Sequence, residues 1–150
     1  MTVTLTATIC GVILLIVLVL WVRRSRARHE MEQYGITPVD LHTLFASNQD
    51  VLLFDVRLPL DLLASSEIIP GAQRLAPRDV MENPALIPGD KDSVVYCTCP
   101  SDKTSRIILH RALALGFLRI KFLKGGLAAW KASGFPVEPY KKSFRLDTGT

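Results

Sequence analysis

The sequence predicts an α/β fold: a parallel β-sheet flanked by helices on both faces, preceded by one N-terminal transmembrane helix. Residues 51–56 and 93–96 form short apolar runs with almost no polar alternation, which is typical of strands covered on both faces. Segments with helical periodicity separate these runs, as expected where helices connect parallel strands. A further apolar run, residues 9–22, is almost continuously aliphatic and too long for a strand.

Residues 1–22 are predicted to be a membrane anchor. No residue from 2 to 22 is charged, and about 20 apolar residues are enough to cross a bilayer as a helix. Trp21 suits the membrane interface, and a cluster of arginines follows it, at positions 23, 24, 26 and 28. Because arginine favours the cytoplasmic side, we expect a single-pass chain with its C-terminal domain in the cytoplasm. A cleaved signal peptide fits less well, because its positive charges precede the apolar run.

The length and composition allow one ordinary domain beside the anchor. The chain has 150 residues, of which 49% are hydrophobic and 21% charged, with a net charge of +4. The arginine cluster accounts for part of this charge and suits lipid headgroups better than nucleic acid. We therefore expect a basic juxtamembrane linker over 23–35, a folded domain over 36–138, a polar tail over 139–150, and no nucleic-acid partner.

Local signals place the elements of the folded domain. Thr37, Pro38 and Asp40 form a helix start, with a capping side chain, a proline in the first turn and an acidic third residue. That helix is predicted to end at Ala46. The other predicted elements follow in order: a helical piece from Pro59 to Ala64, a turn at Pro70-Gly71 into an edge strand, a short helix or turn over 78–86, a helix over about 105–115, a strand over 120–123 and a helix over 127–133.

Cys97 is the main candidate for chemistry. It ends an apolar strand and faces the start of a helix, where backbone N–H groups and the helix dipole favour negative charge. Such a position lowers the pKa of a thiol and makes it a nucleophile. The alternative at this point is a small thiol that only packs at a strand end. The three cysteines (Cys10, Cys97 and Cys99) form neither a disulfide framework nor a metal-binding spacing, so we expect no metal and no organic cofactor.

Over residues 36–138 the sequence resembles a single rhodanese domain. The matching pieces occur in the order of that family: Ile36-Thr37-Pro38, Leu53-Phe54-Asp55-Val56-Arg57, Ile69-Pro70-Gly71-Ala72, Val94-Val95-Tyr96-Cys97, Ala114-Leu115-Gly116-Phe117, Leu123-Lys124-Gly125-Gly126, Ala129-Trp130 and Gly134-Phe135-Pro136-Val137.

The resemblance implies a sulfurtransferase in which Cys97 carries sulfur as a persulfide. The donor would be a small sulfur compound such as thiosulfate, and the acceptor a thiol or a cyanide-like nucleophile. Asp55 and Arg57 match a motif that supports the fold beneath the active loop. The loop after Cys97 would bind the anionic donor through its N–H groups. The predicted residues of this anion-binding loop are Thr98, Cys99, Ser101, Asp102, Lys103, Thr104, Ser105 and Arg106.

The loop departs from the common single-domain pattern. It is about two residues longer, and threonine stands at position 104, where the pattern has arginine. Lys103 and Arg106 are the cations expected to replace it. The same threonine argues against a phosphatase, whose cysteine loop needs that arginine. Two other functions remain open: a non-catalytic interaction module with a protein partner, and a thiol redox module that uses Cys97 and Cys99.

Overall fold

The structure, a computed structural model, describes residues 2–98 and 101–142, without the side chains of residues 2–10, 27, 28 and 30. The chain divides into two compact units, residues 1–33 and residues 34–150. The first consists of one helix, α1 (Thr2–Glu32). Side chains from Val12 to Trp21 are 46–70% exposed on this helix. The helix continues through most of the predicted linker, so residues 23–32 are helical.

The predicted anchor receives no support from the structure. Within the part of the chain that the structure describes, no helix is both long and apolar enough to span a membrane. The first ten residues of the predicted anchor contribute no described side chains. The transmembrane segment and its orientation therefore stay predictions.

The second unit is built on a five-stranded parallel sheet with the strand order β1-β6-β5-β2-β4. The long apolar runs form its central strands, as predicted, and two-residue strands form its edges. The strands are β1 (Gly35–Ile36), β2 (Val51–Asp55), β4 (Gln73–Arg74), β5 (Asp92–Tyr96) and β6 (Ile120–Leu123). A separate antiparallel pair joins β3 (Glu67–Ile68) to β7 (Glu138–Pro139). The parallel sheet confirms the predicted fold class, whereas the small antiparallel pair was not anticipated.

Five α-helices and one 3-10 helix accompany this sheet in the described residues. Thr37 caps the first of them as predicted, because its Oγ1 accepts the N–H of Asp40 at 3.1 Å. The helices are α2 (Pro38–Ala46), α3 (Pro59–Ala64), α4 (Pro77–Glu82), the 3-10 helix (Pro84–Leu86), α5 (Lys103–Ala114) and α6 (Gly126–Ala132). Among these helices, α5 is the one whose bounds differ from the prediction in a way that affects the site. It begins at Lys103, two residues before the predicted start at Ser105.

Alternating side chains of the sheet form two apolar layers. Leu53, Val94 and Leu123 lie in one buried cluster with Leu41 of α2 and Trp130 of α6. Their neighbours along the strands, Phe54, Val95 and Phe122, are equally buried and point to the opposite face, because successive strand residues alternate. On that face α5 packs against β5 and β6. The central strands are thus held from both sides, and their carboxyl ends meet at one rigid edge.

Candidate active site

Cys97 lies at the carboxyl end of the central strand β5. Its side chain is fully buried, and its carbonyl oxygen accepts the N–H of Leu127 at 3.1 Å. Strands β2 and β6 flank β5, so Cys97 occupies the middle of the edge at which parallel sheets usually bind ligands. The structure therefore places the predicted nucleophile where the sequence places it, at a strand end before a helix. We use the name Cys97 loop for residues 97–102.

The turn between β6 and α6 holds both ends of the Cys97 loop. Gly125 and Gly126 have φ of 71° and 52°, a conformation that favours glycine. A Cβ on Gly126 would overlap the carbonyl oxygen of Cys97, so the backbones approach too closely for any side chain. The N–H of Gly125 donates to Oδ2 of Asp102 at 2.9 Å. This turn fixes where the loop begins and where it ends.

Asp102 ends the loop in an unusual conformation. Its φ is 51°, in the left-handed region, and its side chain is almost completely buried. The residue precedes the first turn of α5, but its carboxylate makes no capping hydrogen bond there. The carboxylate therefore does not cap α5, and it accepts a hydrogen bond from the Gly125 turn instead. Because the backbone turns at Asp102, α5 begins at Lys103 rather than at Ser105.

One buried hydroxyl group lies in the Cys97 loop, and another lies in the first turn of α5. Within the described residues, Oγ1 of Thr98 and Oγ of Ser105 are buried and have no hydrogen-bond partner. Ser105 is fully buried in the first turn of α5. A buried hydroxyl without a partner is destabilising, and proteins usually satisfy such groups. These two hydroxyls therefore remain available as hydrogen-bond donors to a ligand atom.

The two predicted cations take different positions. Lys103 is exposed at the start of α5. Arg106 is half-buried, and its guanidinium carbon lies 4.6 Å from the centre of the Phe122 ring. This distance is in the range of a cation–π contact. The guanidinium of Arg106 therefore contacts the sheet face under α5, and Lys103 carries the exposed charge at the loop.

A buried polar network lies below Cys97, formed by Asp55, Arg57 and Tyr96. The Nε of Arg57 donates to Oδ1 and Oδ2 of Asp55 at 3.0 and 2.9 Å, and one terminal nitrogen donates to Oδ2 at 2.6 Å. Arg57 also donates to the carbonyl oxygens of Ser65 and Glu67, both at 2.8 Å. Both members of the pair are completely buried. A buried charge pair needs such additional hydrogen bonds, and here the main chain supplies them.

Tyr96 connects this network to Cys97, which is the next residue. Its hydroxyl donates to Oδ2 of Asp55 at 3.2 Å and accepts the N–H of Ile69 at 3.2 Å. Burial, and then the negative charge of Asp55, raise the pKa of Tyr96 far above its usual range. The phenol therefore remains neutral, and it ties β5 to β2 directly before Cys97.

Two features of the site were missed in the sequence. Gly126 belongs to a predicted turn, but its close approach to Cys97 depends on a contact across 29 positions. Arg74 on β4 donates to the main-chain carbonyl of Asp55 at 3.0 Å. Burial is the main reason that the pKa of Arg74 is lowered. In the sequence, the one indication that Arg74 contacts Asp55 is its position directly after the predicted turn into an edge strand.

One predicted site residue lies outside the described part of the chain. This residue is Cys99, and so the proposed Cys97–Cys99 pair has no described geometry. The side chain of Cys10 also lies outside it. In the described residues, no group of three or more histidine, cysteine or acidic side chains is arranged to bind a metal ion.

Comparisons with known proteins agree with the resemblance seen in the sequence. A model of the family described as "Rhodanese-like domain" matches residues 37–133. A sulfurtransferase from Allochromatium vinosum is 33% identical over 92 residues, which are 61% of this chain and 82% of that protein. A rhodanese-like domain from Anabaena sp. has a TM-score of 0.60 at 24% identity, over 78% of this chain and 83% of that one. A Rhodopseudomonas palustris protein of unknown function, described as a possible tyrosine phosphatase, has a TM-score of 0.62 at 25% identity, over 76% and 89%.

Proposed function

The chain belongs to the rhodanese-like domain family, and on that premise we propose that it is a sulfurtransferase that carries sulfur on Cys97. The observation that carries the proposal is the position of this cysteine. It directly follows the central strand β5, and the segment that leads from it into α5 carries two buried hydroxyls without a hydrogen-bond partner in the described residues. The relative named as a sulfurtransferase supports the same class of reaction.

The reaction has two displacement steps. In the first, the Cys97 thiolate attacks the outer sulfur of a donor such as thiosulfate. A sulfur–sulfur bond forms on Cys97, the donor's own sulfur–sulfur bond breaks, and sulfite leaves with the electron pair. In the second, a thiol or cyanide-like acceptor attacks the terminal sulfur of the persulfide, and the Cys97 thiolate is regenerated. No external oxidant is needed, because the donor already contains the oxidised sulfur.

The local electrostatics suit the charges that this reaction creates. The N–H groups in the first turn of α5 carry the positive end of the helix dipole, which stabilises a thiolate or persulfide anion. Thr98 and Ser105 offer two hydroxyl donors in a buried place, where a hydrogen bond to an anion is strong. The first turn of α5 and these hydroxyls form the proposed anion cradle, and Lys103 is the exposed cation at its entrance.

Intact-mass analysis tests the proposal. The full chain is incubated with thiosulfate beside Cys97→Ser and Cys99→Ser variants. We expect a gain of one sulfur atom, about 32 Da, that persists in Cys99→Ser and disappears in Cys97→Ser. A folded wild-type chain that gains no sulfur from thiosulfate or other sulfane donors would contradict the proposal and favour an interaction module. A loss of two hydrogens that requires both cysteines would instead indicate the redox module.

Phosphatase activity is a second candidate, suggested by the similarity to the possible tyrosine phosphatase of Rhodopseudomonas palustris. A phosphatase of this kind stabilises the transferring phosphoryl group with an arginine in the cysteine loop, and position 104 is threonine. We therefore expect no hydrolysis of an aryl phosphate above the rate of the Cys97→Ser variant. Hydrolysis that depends on Cys97 would replace the sulfur-transfer proposal.

We extend the proposal to location, with residues 2–22 anchoring the chain in a membrane and the domain on the cytoplasmic side. The exposed aliphatic side chains of α1 and the arginines that follow them support it. Fractionation of cells that express the full chain tests it. We expect the chain to stay with membranes after a wash at high salt and alkaline pH, whereas release by that wash would contradict the anchor.

A further inference from the structure

A cavity of about 310 Å³ lies beside the edge strand β4, between this strand and the segment that begins at β7. Its volume is at the lower end of the range for small-molecule sites. Ile68 and Ala72 form an apolar part of its wall. No described residue of the Cys97 loop lines it. The cavity is therefore a second candidate site, separate from the sulfur-transfer chemistry.

Arg74 supplies a buried donor to this cavity. Its terminal nitrogen donates to the main-chain carbonyl of Asp55 at 3.0 Å, and also contacts the carbonyl of Leu75. Its Nε is buried and has no hydrogen-bond partner in the described residues. Since arginine keeps its charge in proteins, this nitrogen is a cationic donor without an acceptor. The guanidinium is thus held in place by one nitrogen, while the buried Nε has no acceptor among the described residues.

The charges around the cavity are mostly positive. Lys141 and Lys142 line it together with Arg74, and both lysines are exposed. Among the described residues that line the cavity, Glu138 is the single carboxylate. Three cations and one anion leave two net positive charges. Such a wall attracts dianions, and a planar guanidinium matches the oxygen spacing of phosphate and sulfate.

We propose that this cavity is an anion site that binds a small dianionic oxyanion of the phosphate or sulfate type. Arg74 and Tyr96 both pair with Asp55 of the strand between them, and neighbouring strands lie about 4.8 Å apart, so Arg74 is roughly 10 Å from Tyr96, the residue before Cys97. An oxygen of the ligand would accept a hydrogen bond from Nε of Arg74, and the negative charge of the ligand would neutralise the positive charges of Lys141 and Lys142. Because phosphate and sulfate contain no sulfane sulfur, this proposal does not depend on the sulfur-transfer function.

Titration of the ¹⁵N-labelled full chain in detergent micelles with inorganic phosphate, at constant ionic strength, tests the proposal by NMR. A parallel titration with sulfate tests whether the site accepts both oxyanions. We expect saturable shifts at the amides of Arg74, Tyr140 and Lys141, with smaller changes at the Cys97 loop. Shifts confined to the Cys97 loop, or no saturable shift at all, would overturn the assignment.

Variants separate this site from general attraction by the basic chain. The Lys141→Gln/Lys142→Gln double variant leaves the buried contacts intact. We expect its Kd for phosphate to rise about tenfold, because it loses two exposed ion pairs with the bound phosphate. Arg74→Lys keeps the charge but loses the Nε donor and should weaken binding as well. The control, Lys91→Gln/Lys121→Gln, removes two exposed lysines that do not line the cavity. An equal loss of affinity in this control would show that phosphate binds only through net charge.

Discussion

Below Cys97, the buried polar network pairs the charges of Asp55 and Arg57 and gives the Tyr96 hydroxyl two partners. The Cys97 loop differs, because the buried hydroxyls of Thr98 within it and of Ser105 after it have no partner in the described residues, and Asp102 adopts a left-handed conformation. Satisfied buried groups stabilise a fold, whereas unsatisfied groups and unusual backbone geometry often mark functional sites. We therefore assign the network to the stability of the fold, and the proposed chemistry to the loop. Substitutions in the two regions should then have different effects.

The largest loss of stability is expected for Arg57→Met. The carboxylate of Asp55 would remain buried without its cation, and the carbonyls of Ser65 and Glu67 would lose a donor. Removing one partner of a buried pair costs about 3–5 kcal/mol, which urea unfolding would measure. The exposed pair of Arg119 and Asp92 provides the control, since Arg119→Met should leave the unfolding curve unchanged. Equal changes in the free energy of unfolding for Arg57→Met and Arg119→Met would contradict a structural role for the network.

A glycine pair tests the contact between the loop and the turn that holds it. Gly126→Ala adds a Cβ that overlaps the Cys97 carbonyl, in a backbone with positive φ. We expect a loss of about 3 kcal/mol from strain and overpacking together, with a lower rate of persulfide formation. Gly134 has a φ of 76° and no atom near the added Cβ. Gly134→Ala should therefore cost only about 1 kcal/mol and leave the rate unchanged. Similar rates in both variants would show that the close approach is unimportant for the chemistry.

Tyr96→Phe should cost about 1–2 kcal/mol near neutral pH, because the N–H of Ile69 loses its acceptor. This difference depends on pH. The pKa of Tyr96 is raised in the folded chain by burial, so above about pH 10 the unfolded chain releases this proton while the folded chain keeps it. The wild type therefore loses stability as the pH rises from about 9 to about 11, and the advantage over Tyr96→Phe shrinks. Urea unfolding across this range measures it, and a constant difference would contradict the buried neutral phenol.

The smallest change in stability is expected for Ser105→Ala. Its hydroxyl has no partner in the described residues, so its loss should change the free energy of unfolding by less than about 0.5 kcal/mol. The rate of persulfide formation should nevertheless fall at least about tenfold, because a buried donor to the anion is lost. A marked destabilisation without a change in rate would place Ser105 with the structural network instead.

Local sequence signals predict the parts of the fold that depend on neighbouring residues. Thr37 and Pro38 define the start of α2, and the apolar run over 51–56 gives β2 almost to the residue. Strands β3 and β7 pair only two residues each across about 70 positions. Such short strands show no alternation, and the proline in β7 argues against a strand. Their pairing follows from the tertiary fold rather than from local preference.

The same distinction applies to the site. The position of Cys97 could be predicted, because the strand that ends before it and the helix that follows it are close together in the sequence. The earlier start of α5 was not found, since it depends on the left-handed backbone of Asp102 and on its bond to the Gly125 turn. The cavity beside Arg74 was also missed, because the residues that line it come from separate parts of the chain.

The most direct test of the division between network and loop counts the sulfite released in one turnover. Wild-type chain is mixed with excess thiosulfate in the absence of an acceptor, and the sulfite is trapped and quantified against the protein. We predict one sulfite for each Cys97, because each persulfide that forms expels one sulfite. Cys97→Ser should release none, while Tyr96→Phe and Arg119→Met, when folded, should still release one. No sulfite from the wild type, or undiminished release from Cys97→Ser, would contradict the assignment of the chemistry to the Cys97 loop.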